Sequence, residues 1–233
     1  MSFLEVVDLS SNSFNSSIPN SLYSLHHLQS LSLGGNYFQG EISSAIGNLS
    51  SLIHLDISNN MLEGRLPISL ENLCKLKEMD LFSNEIDQDI TEILQSFSRC
   101  SLDCLESLNM ANNQLSGHLT DQLGKFRNLA YMSLAQNKIS GPIPLSVGEL
   151  SSLKLFDVSE NQLNGTFPPS LGQLGNLETL NIGQNLLEEV VSETHFSNLT
   201  KLTQLKASGN MMRFQPNSSW VPPFHCETIE LSQ

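Results

Sequence analysis

Apolar residues recur along this chain at fixed distances ahead of a series of asparagines. Typically they stand eight, five and three positions before the asparagine, as Leu52, Leu55 and Ile57 stand before Asn60. The asparagines follow one another at steps of 24 residues, apart from one step of 29 and one of 25. The series consists of Asn12, Asn36, Asn60, Asn84, Asn113, Asn137, Asn161, Asn185 and Asn210. Such a period predicts a repeat protein, in which each turn packs against its neighbours.

The segment before each asparagine alternates apolar with polar positions, which predicts a half-buried strand. In residues 177–183, Leu177, Leu180 and Ile182 are expected to point inward while the residues between them face solvent. Copies of this strand, stacked turn on turn, make a parallel sheet. The asparagine side chain offers one acceptor and two donors, so we expect it to satisfy backbone groups of its own turn and the next.

A second set of positions follows each asparagine and belongs to the return path of the turn. An apolar residue stands two positions later, glycine often four and proline often seven, as Leu62, Gly64 and Pro67 do after Asn60. Glycine permits a bend and proline fixes an extended φ, which predicts a short, edge-like strand. The SxxLGxLxxL that follows predicts a brief helical or 3₁₀ turn. The fold class is therefore an α/β repeat solenoid with a concave parallel sheet and a convex side of short strands, turns and 3₁₀ or short helices.

The two templates, LxxLxLxxN and LxGxIPxxLxxLxxL, resemble the plant-specific leucine-rich repeat of extracellular receptors, receptor-like proteins and polygalacturonase inhibitors. The resemblance covers nearly all of residues 1–233 and implies one right-handed superhelical array of about ten 24-residue turns. Two departures, the 29-residue step between Asn84 and Asn113 and the atypical turn at 211–226 containing NSSWVPPF, are similar to features of plant receptor-like proteins related to immune receptors. Because such proteins carry further repeats, terminal caps and a membrane helix, the resemblance implies a partial chain without caps.

Charge and hydropathy narrow the range of partners. Asp and Glu number 24 against 11 Lys and Arg, the net charge is −13, and no basic cluster occurs. Nucleic acid and anionic lipid are therefore poor partners, and this segment itself is expected to make no membrane contact. No stretch approaches the roughly 20 apolar residues of a membrane-spanning helix, and residues 1–14 lack the pattern of a secretory signal.

Five N-x-[ST] triplets point to the compartment. They begin at Asn15, Asn48, Asn164, Asn198 and Asn217. None of these belongs to the series from Asn12 to Asn210 that marks the repeat, whose members are the framework asparagines. Asn48 and Asn198 fall in convex segments, where a glycan leaves the concave face free. We therefore expect a glycoprotein that is either secreted or held on the extracellular face of the plasma membrane as part of a longer receptor.

The four cysteines allow two interpretations. Cys74 and Cys100 could meet across adjacent turns and brace the expanded step, in an oxidising compartment. Alternatively all four, including Cys104 and Cys226, are small buried apolar residues. The spacing suits neither CxxC pairs nor a set containing histidine, so no metal site is expected.

Comparison of like positions across turns selects candidate ligand-binding residues on the concave face. Two residues before the asparagine nearly every turn has a small residue, and Phe82 is the exception. Six residues before it, the only aromatic is Tyr131 and the only histidine is His54. Four residues before it, aspartates form an open, solvated acidic stripe that includes Asp56, Asp80 and Asp157. Exposed rings add nothing to folding and are enriched at binding centres, so we predict a partner here, unless Phe82 folds over the edge and packs on the expanded turn.

Paired carboxylates can perform acid–base work, but an open sheet offers neither a pocket nor desolvation, so we predict a non-enzyme without a cofactor. The resemblance implies recognition of a protein, peptide or glycan ligand by a plant cell-surface receptor-like protein in defence or developmental signalling. It also implies a co-receptor with its own leucine-rich repeats. The alternatives are a secreted polygalacturonase-inhibitor-like protein and a truncated, non-signalling repeat fragment.

Overall fold

The computed structural model of the protein describes residues 3–97 and 102–232. Its main element is a ten-stranded parallel sheet with one three-residue strand per turn. The strands follow the same order in the sheet as in the chain: Val6–Asp8, Ser30–Ser32, His54–Asp56, Glu78–Asp80, Ser107–Asn109, Tyr131–Ser133, Leu155–Asp157, Thr179–Asn181, Gln204–Lys206 and Thr228–Glu230. Because sequential strands are neighbours, each turn contacts the turn before it and the turn after it. The predicted repeat solenoid is confirmed.

The apolar positions of the repeat form one continuous core behind this sheet. Leu177, Leu180 and Ile182 are fully buried, as the alternation predicts, and equivalent residues of the other inner turns are buried with them. Burying one such side chain stabilises the fold by roughly 1.5–3 kcal/mol. Since every turn contributes only a few of them, no turn has a core of its own and each depends on its neighbours.

The framework asparagines connect successive turns. Nδ2 of Asn84 donates to the carbonyl of Leu81 at 3.1 Å in its own turn and to the carbonyl of Ile57 at 3.0 Å in the preceding turn. Its Oδ1 accepts the N–H of Leu62, also in the preceding turn, at 3.1 Å. The expectation of a bond to the next turn was therefore wrong in direction, because the side chain points back along the array. The same three bonds recur at Asn36, Asn60, Asn113, Asn137, Asn161, Asn185 and Asn210.

Short outer strands lie on the return path, as the glycine and proline positions predict. Two three-stranded parallel sheets and one two-stranded sheet form there. They comprise Gln39–Glu41, Met61–Gly64 and Glu85–Ile86; Ser140–Gly141, Gln162–Gly165 and Leu186–Leu187; and Val190–Val191 with Arg213–Phe214. Gly64 ends its strand at φ +75°, in the left-handed region that favours glycine.

A 3₁₀ helix follows the outer strand in most turns, as predicted. These helices span Asn20–Ser24, Ser44–Asn48, Ile68–Asn72, Asp121–Lys125, Leu145–Glu149, Pro169–Gln173 and Glu193–Phe196. Gly148 shows why glycine recurs in this segment, because a Cβ atom there would lie 2.6 Å from the carbonyl oxygen of Ser170 in the next turn. The glycine therefore allows close stacking of successive 3₁₀ helices.

The expanded turn replaces its 3₁₀ helix with an α-helix, α1, at Ile90–Phe97. This helix buries Ile90, Ile93, Leu94 and Phe97 against the core. Helix α1 is three residues longer than most of the 3₁₀ helices, and the concave strands on the two sides of the expanded turn still pair in parallel. Among the described residues, no helix has the length and apolar character needed to cross a membrane.

The atypical turn at 211–226 contributes three rings to an aromatic cluster. Trp220 packs against Phe196, Phe214 and Phe224, with ring centroids 6.0, 6.3 and 6.1 Å away. Residues 211–226 contain no helix, and of these rings Phe196 and Phe224 are buried while Trp220 is half-buried. The proline-rich segment is therefore anchored to the core by Trp220 and Phe224.

The cysteines differ in state. Cys74 is disulfide-bonded, whereas Cys104 and Cys226 are free and half-buried. Cys100, the partner predicted for Cys74, lies outside the described residues, so that pairing stays a prediction.

Candidate functional site

The strand register aligns like positions of successive turns into columns across the concave sheet. Tyr131 stands between Ser107 and Leu155 in one column. Asp80 lies in a second column, opposite Asp56 on one side and Asn109 on the other. The columns that the sequence comparison assumed are therefore columns of the structure.

A shallow basin of about 550 Å³ opens near the middle of the concave face. Phe82 and Tyr131 both line it, and so do Asp80 and Asp157. Four of the six predicted concave residues therefore share one basin. Tyr131 is 47% exposed, whereas Phe82 is half-buried.

Two alanines line the basin together with the aromatic residues. Ala111 and Ala135 also line the basin, are themselves buried, and occupy the position of Phe82 in the next two turns. A larger side chain at either position would take up part of the basin. The small residues at the position of Phe82 in the following turns thus keep the basin open beside Phe82.

The aspartates do not form the open stripe that the sequence predicts. Each carboxylate accepts a hydrogen bond from the backbone N–H two residues later, just after the end of its own strand. Oδ1 of Asp80 accepts the N–H of Phe82 at 2.8 Å, and its Oδ2 accepts Nδ2 of Asn109 at 3.2 Å. Asp157 is held in the same way, by the N–H of Ser159 at 3.0 Å and by Nδ2 of Asn181 at 3.1 Å. Their carboxylates are consequently fixed in position and partly withdrawn from solvent.

Burial has an electrostatic effect on Asp80. The loss of water around its carboxyl group raises the pKa, and the nearby carboxylate of Asp56 adds to the rise. The hydrogen bonds from Phe82 and Asn109 oppose this by stabilising the charged form. A cation placed beside Asp80 would relieve the unfavourable burial of its negative charge.

The two remaining predicted residues, His54 and Asp56, lie in an adjoining hollow of about 230 Å³. Asp80 lines both this hollow and the basin. Nδ1 of His54 is 3.0 Å from Oε2 of Glu78 on the next strand. Glu78 therefore already pairs with His54, and neither His54 nor Asp56 lines the basin itself.

The sequence comparison missed Glu160, which lines the basin beside Asp157. Both of its carboxylate oxygens accept Nε2 of Gln136 at 3.1 Å. The residue immediately before the framework asparagine is serine, glycine, asparagine or glutamine in every other turn, so Glu160 is the one charged residue of its column. Like Phe82, Glu160 is therefore an exception among the residues at the same position of the other turns, and the sequence contains the signal that identifies it.

The glycosylation candidates lie outside the basin lining. Asn15, Asn48, Asn164, Asn198 and Asn217 are all exposed, as a glycan acceptor must be. Their modification stays a prediction. Within residues 3–97 and 102–232, no group of three or more His, Cys, Asp or Glu is arranged to hold a metal ion.

Models of the leucine-rich repeat match this chain over residues 3–25, 27–49, 51–73, 104–126 and 151–212. Together these ranges cover most of the array and both sides of the expanded turn. A sequence search against curated proteins gives no significant match.

Several solved structures are similar over nearly the whole chain. A TDR receptor has a TM-score of 0.84 at 36% identity, covering 91% of this chain and 36% of that chain. PEPR1 with AtPEP1 has a TM-score of 0.76 at 26% identity, covering 97% and 38%. The Arabidopsis receptor kinase HAESA, in complex with the peptide hormone IDA and the co-receptor SERK1, has a TM-score of 0.73 at 28% identity, covering 90% and 38%. The chain thus spans 36–38% of the length of these structures.

Proposed function

We propose, from the premise that this chain belongs to the leucine-rich-repeat family and resembles the ectodomains of plant receptors, that its concave basin binds a protein or peptide ligand. One observation carries the proposal. Tyr131 is 47% exposed in a basin that it shares with Phe82, on a sheet face where Val6 and Leu155 are the only other large apolar residues among the outward positions of the strands. An exposed ring there does nothing for the core, whereas aromatic anchors dominate binding energies.

The chemistry of the basin indicates how recognition would work. Phe82 and Tyr131 supply apolar contact area at a low cost in side-chain entropy, since each ring has only two rotatable side-chain bonds. Asp80 and Asp157 are held by hydrogen bonds and select a basic or hydroxyl-rich partner. The module is thus proposed to bind, and not to catalyse.

The structural neighbours support a receptor context for this site. PEPR1 is described with AtPEP1, and HAESA with a peptide hormone and the co-receptor SERK1. We extend the same roles to this chain: a peptide or protein ligand, a co-receptor as second partner, and a place on the outside of the cell. A role in defence or developmental signalling follows from the resemblance to receptor-like proteins.

A selection experiment tests the proposal. A random dodecapeptide library displayed on phage is selected on the 233-residue chain, and each enriched peptide is measured again on the Phe82→Ala/Tyr131→Ala variant. We expect a group of peptides whose binding weakens by roughly 2–4 kcal/mol, or about 30- to 1,000-fold, when both rings are removed.

Tyr37→Ala is the matched control. Tyr37 is an exposed aromatic residue that does not line the basin. Its replacement should leave the same peptides bound. If no enriched peptide depends on Phe82 and Tyr131, or if Tyr37→Ala weakens binding equally, the basin is not the recognition site.

A further inference from the structure

The carboxylates of the basin stand at its two ends. Asp80 lies on the fourth strand of the concave sheet and Asp157 on the seventh, with the neutral Asn109 and Ser133 between them in the same column. Neighbouring strands are about 4.8 Å apart, so three steps separate the two aspartates by about 14 Å. The basin thus has two acidic ends and an uncharged middle.

A second carboxylate reinforces each end. Asp56 is the strand partner of Asp80, and Glu160 lines the basin on the side of Asp157. In the described part of the chain, none of these four forms an ion pair with lysine, arginine or histidine. Their hydrogen-bond donors are backbone N–H groups, serine hydroxyls and side-chain amides, all of them neutral. Both ends therefore carry uncompensated negative charge, which attracts cations.

The middle of the basin suits an apolar group. Ala111 and Ala135 each follow, by two residues, one of the two strands between the acidic ends, and they line the basin together with Phe82 and Tyr131. A volume of about 550 Å³ falls within the range of sites that take a small ligand or a few side chains. The occupant is therefore expected to combine positive charge at two places with an apolar group between them.

We propose that the basin binds an extended peptide segment in which two basic side chains, four positions apart, flank an apolar side chain. Alternate residues of an extended chain face the same side, and residues four positions apart are separated by about 13 Å. This matches the separation of about 14 Å between the acidic ends. The apolar residue two positions from each basic one then lies over the alanines. The inference rests on the proposed function, because it specifies the ligand of the same basin.

The sequences of the selected peptides test this arrangement. Among peptides whose binding depends on Phe82 and Tyr131, we expect the pattern basic–x–apolar–x–basic to be in excess over the unselected library. For a synthetic peptide with that pattern, Asp80→Asn and Glu160→Gln, one at each end, should each raise the dissociation constant about tenfold. Glu63→Gln, an exposed residue of the outer strand Met61–Gly64, should leave it unchanged.

Two further synthetic peptides test the spacing. They keep the composition but separate the basic residues by three or by five positions, which places the two side chains on opposite faces of an extended chain. We expect the four-position peptide to bind at least about tenfold more tightly than either, since the others can occupy only one acidic end at a time. Unfolding midpoints of all variants show whether each one is folded.

The outcomes separate the two proposals. If Phe82- and Tyr131-dependent peptides appear without an excess of basic residues, the inference is overturned while the proposed function stands. If the three spacings bind equally, the extended two-ended arrangement is wrong. If no such group of peptides appears, the proposed function itself fails.

Discussion

The framework asparagines and the residues that line the basin belong to the same turns, but their sequences follow opposite rules from turn to turn. The framework asparagine makes the same three hydrogen bonds in turn after turn, and Asn84 and Asn185 are buried. In the basin, Phe82 and Glu160 each break a column of small or uncharged residues. A position that repeats reports what every turn needs to stack. A position that departs from its column reports something that stacking does not need, and it can be changed without loss of the fold.

The largest predicted effect concerns the framework asparagines. Asn84→Ala removes three hydrogen bonds: one of the two that each carbonyl of Ile57 and Leu81 accepts, and the one that the N–H of Leu62 donates. At about 1 kcal/mol for each bond, we expect the free energy of unfolding to fall by roughly 3 kcal/mol. Urea denaturation measures the change. Asn12→Ala is the control, because the side chain of Asn12 is exposed and bonds only carbonyls of its own turn. Equal losses in the two variants would mean that the bonds between turns are not what stabilises the array.

The next effect concerns the close approach of successive turns. At Gly148 a Cβ atom would lie 2.6 Å from the Ser170 carbonyl oxygen, so Gly148→Ala must push two turns apart and should cost about 2 kcal/mol. At Gly175 the nearest atom to a Cβ would be the carbonyl oxygen of Asn198 at 3.6 Å, an ordinary contact. Gly175→Ala should therefore leave the urea midpoint nearly unchanged. A midpoint that moves equally in both would contradict the steric explanation.

Features that recur at the same position in several turns could be predicted from the sequence, whereas features that occur once could not. The parallel sheet, the 3₁₀ turns and the bend at Gly64 were predictable because several turns repeat the same constraint. Helix α1 was not, since a segment that occurs once has no column to compare with. The backward direction of the Asn84 bonds and the strand-closing role of Asp80 depend on how turns are offset in space, which spacing along the chain does not encode. Phe82 and Tyr131 were found as exceptions, and their shared basin then followed from the register.

A smaller effect on stability is expected inside the basin. The Phe82→Ala/Tyr131→Ala variant should lower the free energy of unfolding by less than about 0.5 kcal/mol, because substitutions away from the core usually stay within that range. Met132→Ala is the control, since Met132 neighbours Tyr131 on the same strand but is fully buried, and its loss should cost about 2–5 kcal/mol. A large loss in the double variant would show that Phe82 packs on the expanded turn and that the rings are structural.

The smallest predicted effect is a pH dependence that arises at Asp80. Burial raises the pKa of its carboxyl group in the folded protein above the ordinary 3.8, so the folded state holds this proton more tightly than the unfolded chain does. The contribution of Asp80 to stability is therefore greatest at low pH and declines as the pH rises from 3.8 through the raised pKa. Asp80→Asn cannot ionise, so wild type should lose stability relative to this variant over that interval in urea denaturation at a series of pH values.

Asp8, four residues before Asn12 as Asp80 is before Asn84, supplies a control of opposite sign. It is exposed, and hydrogen bonds from the hydroxyl and N–H of Ser10 lower the pKa of its carboxyl group. The folded state therefore holds this proton less tightly, and the contribution of Asp8 is present above pH 3.8 and lost as the pH falls through the lowered pKa. Relative to Asp8→Asn, wild type should gain stability with rising pH. If both variants show the same slope, burial does not distinguish the Asp80 carboxylate from an exposed one, and the electrostatic argument for a cation at that end of the basin fails with it.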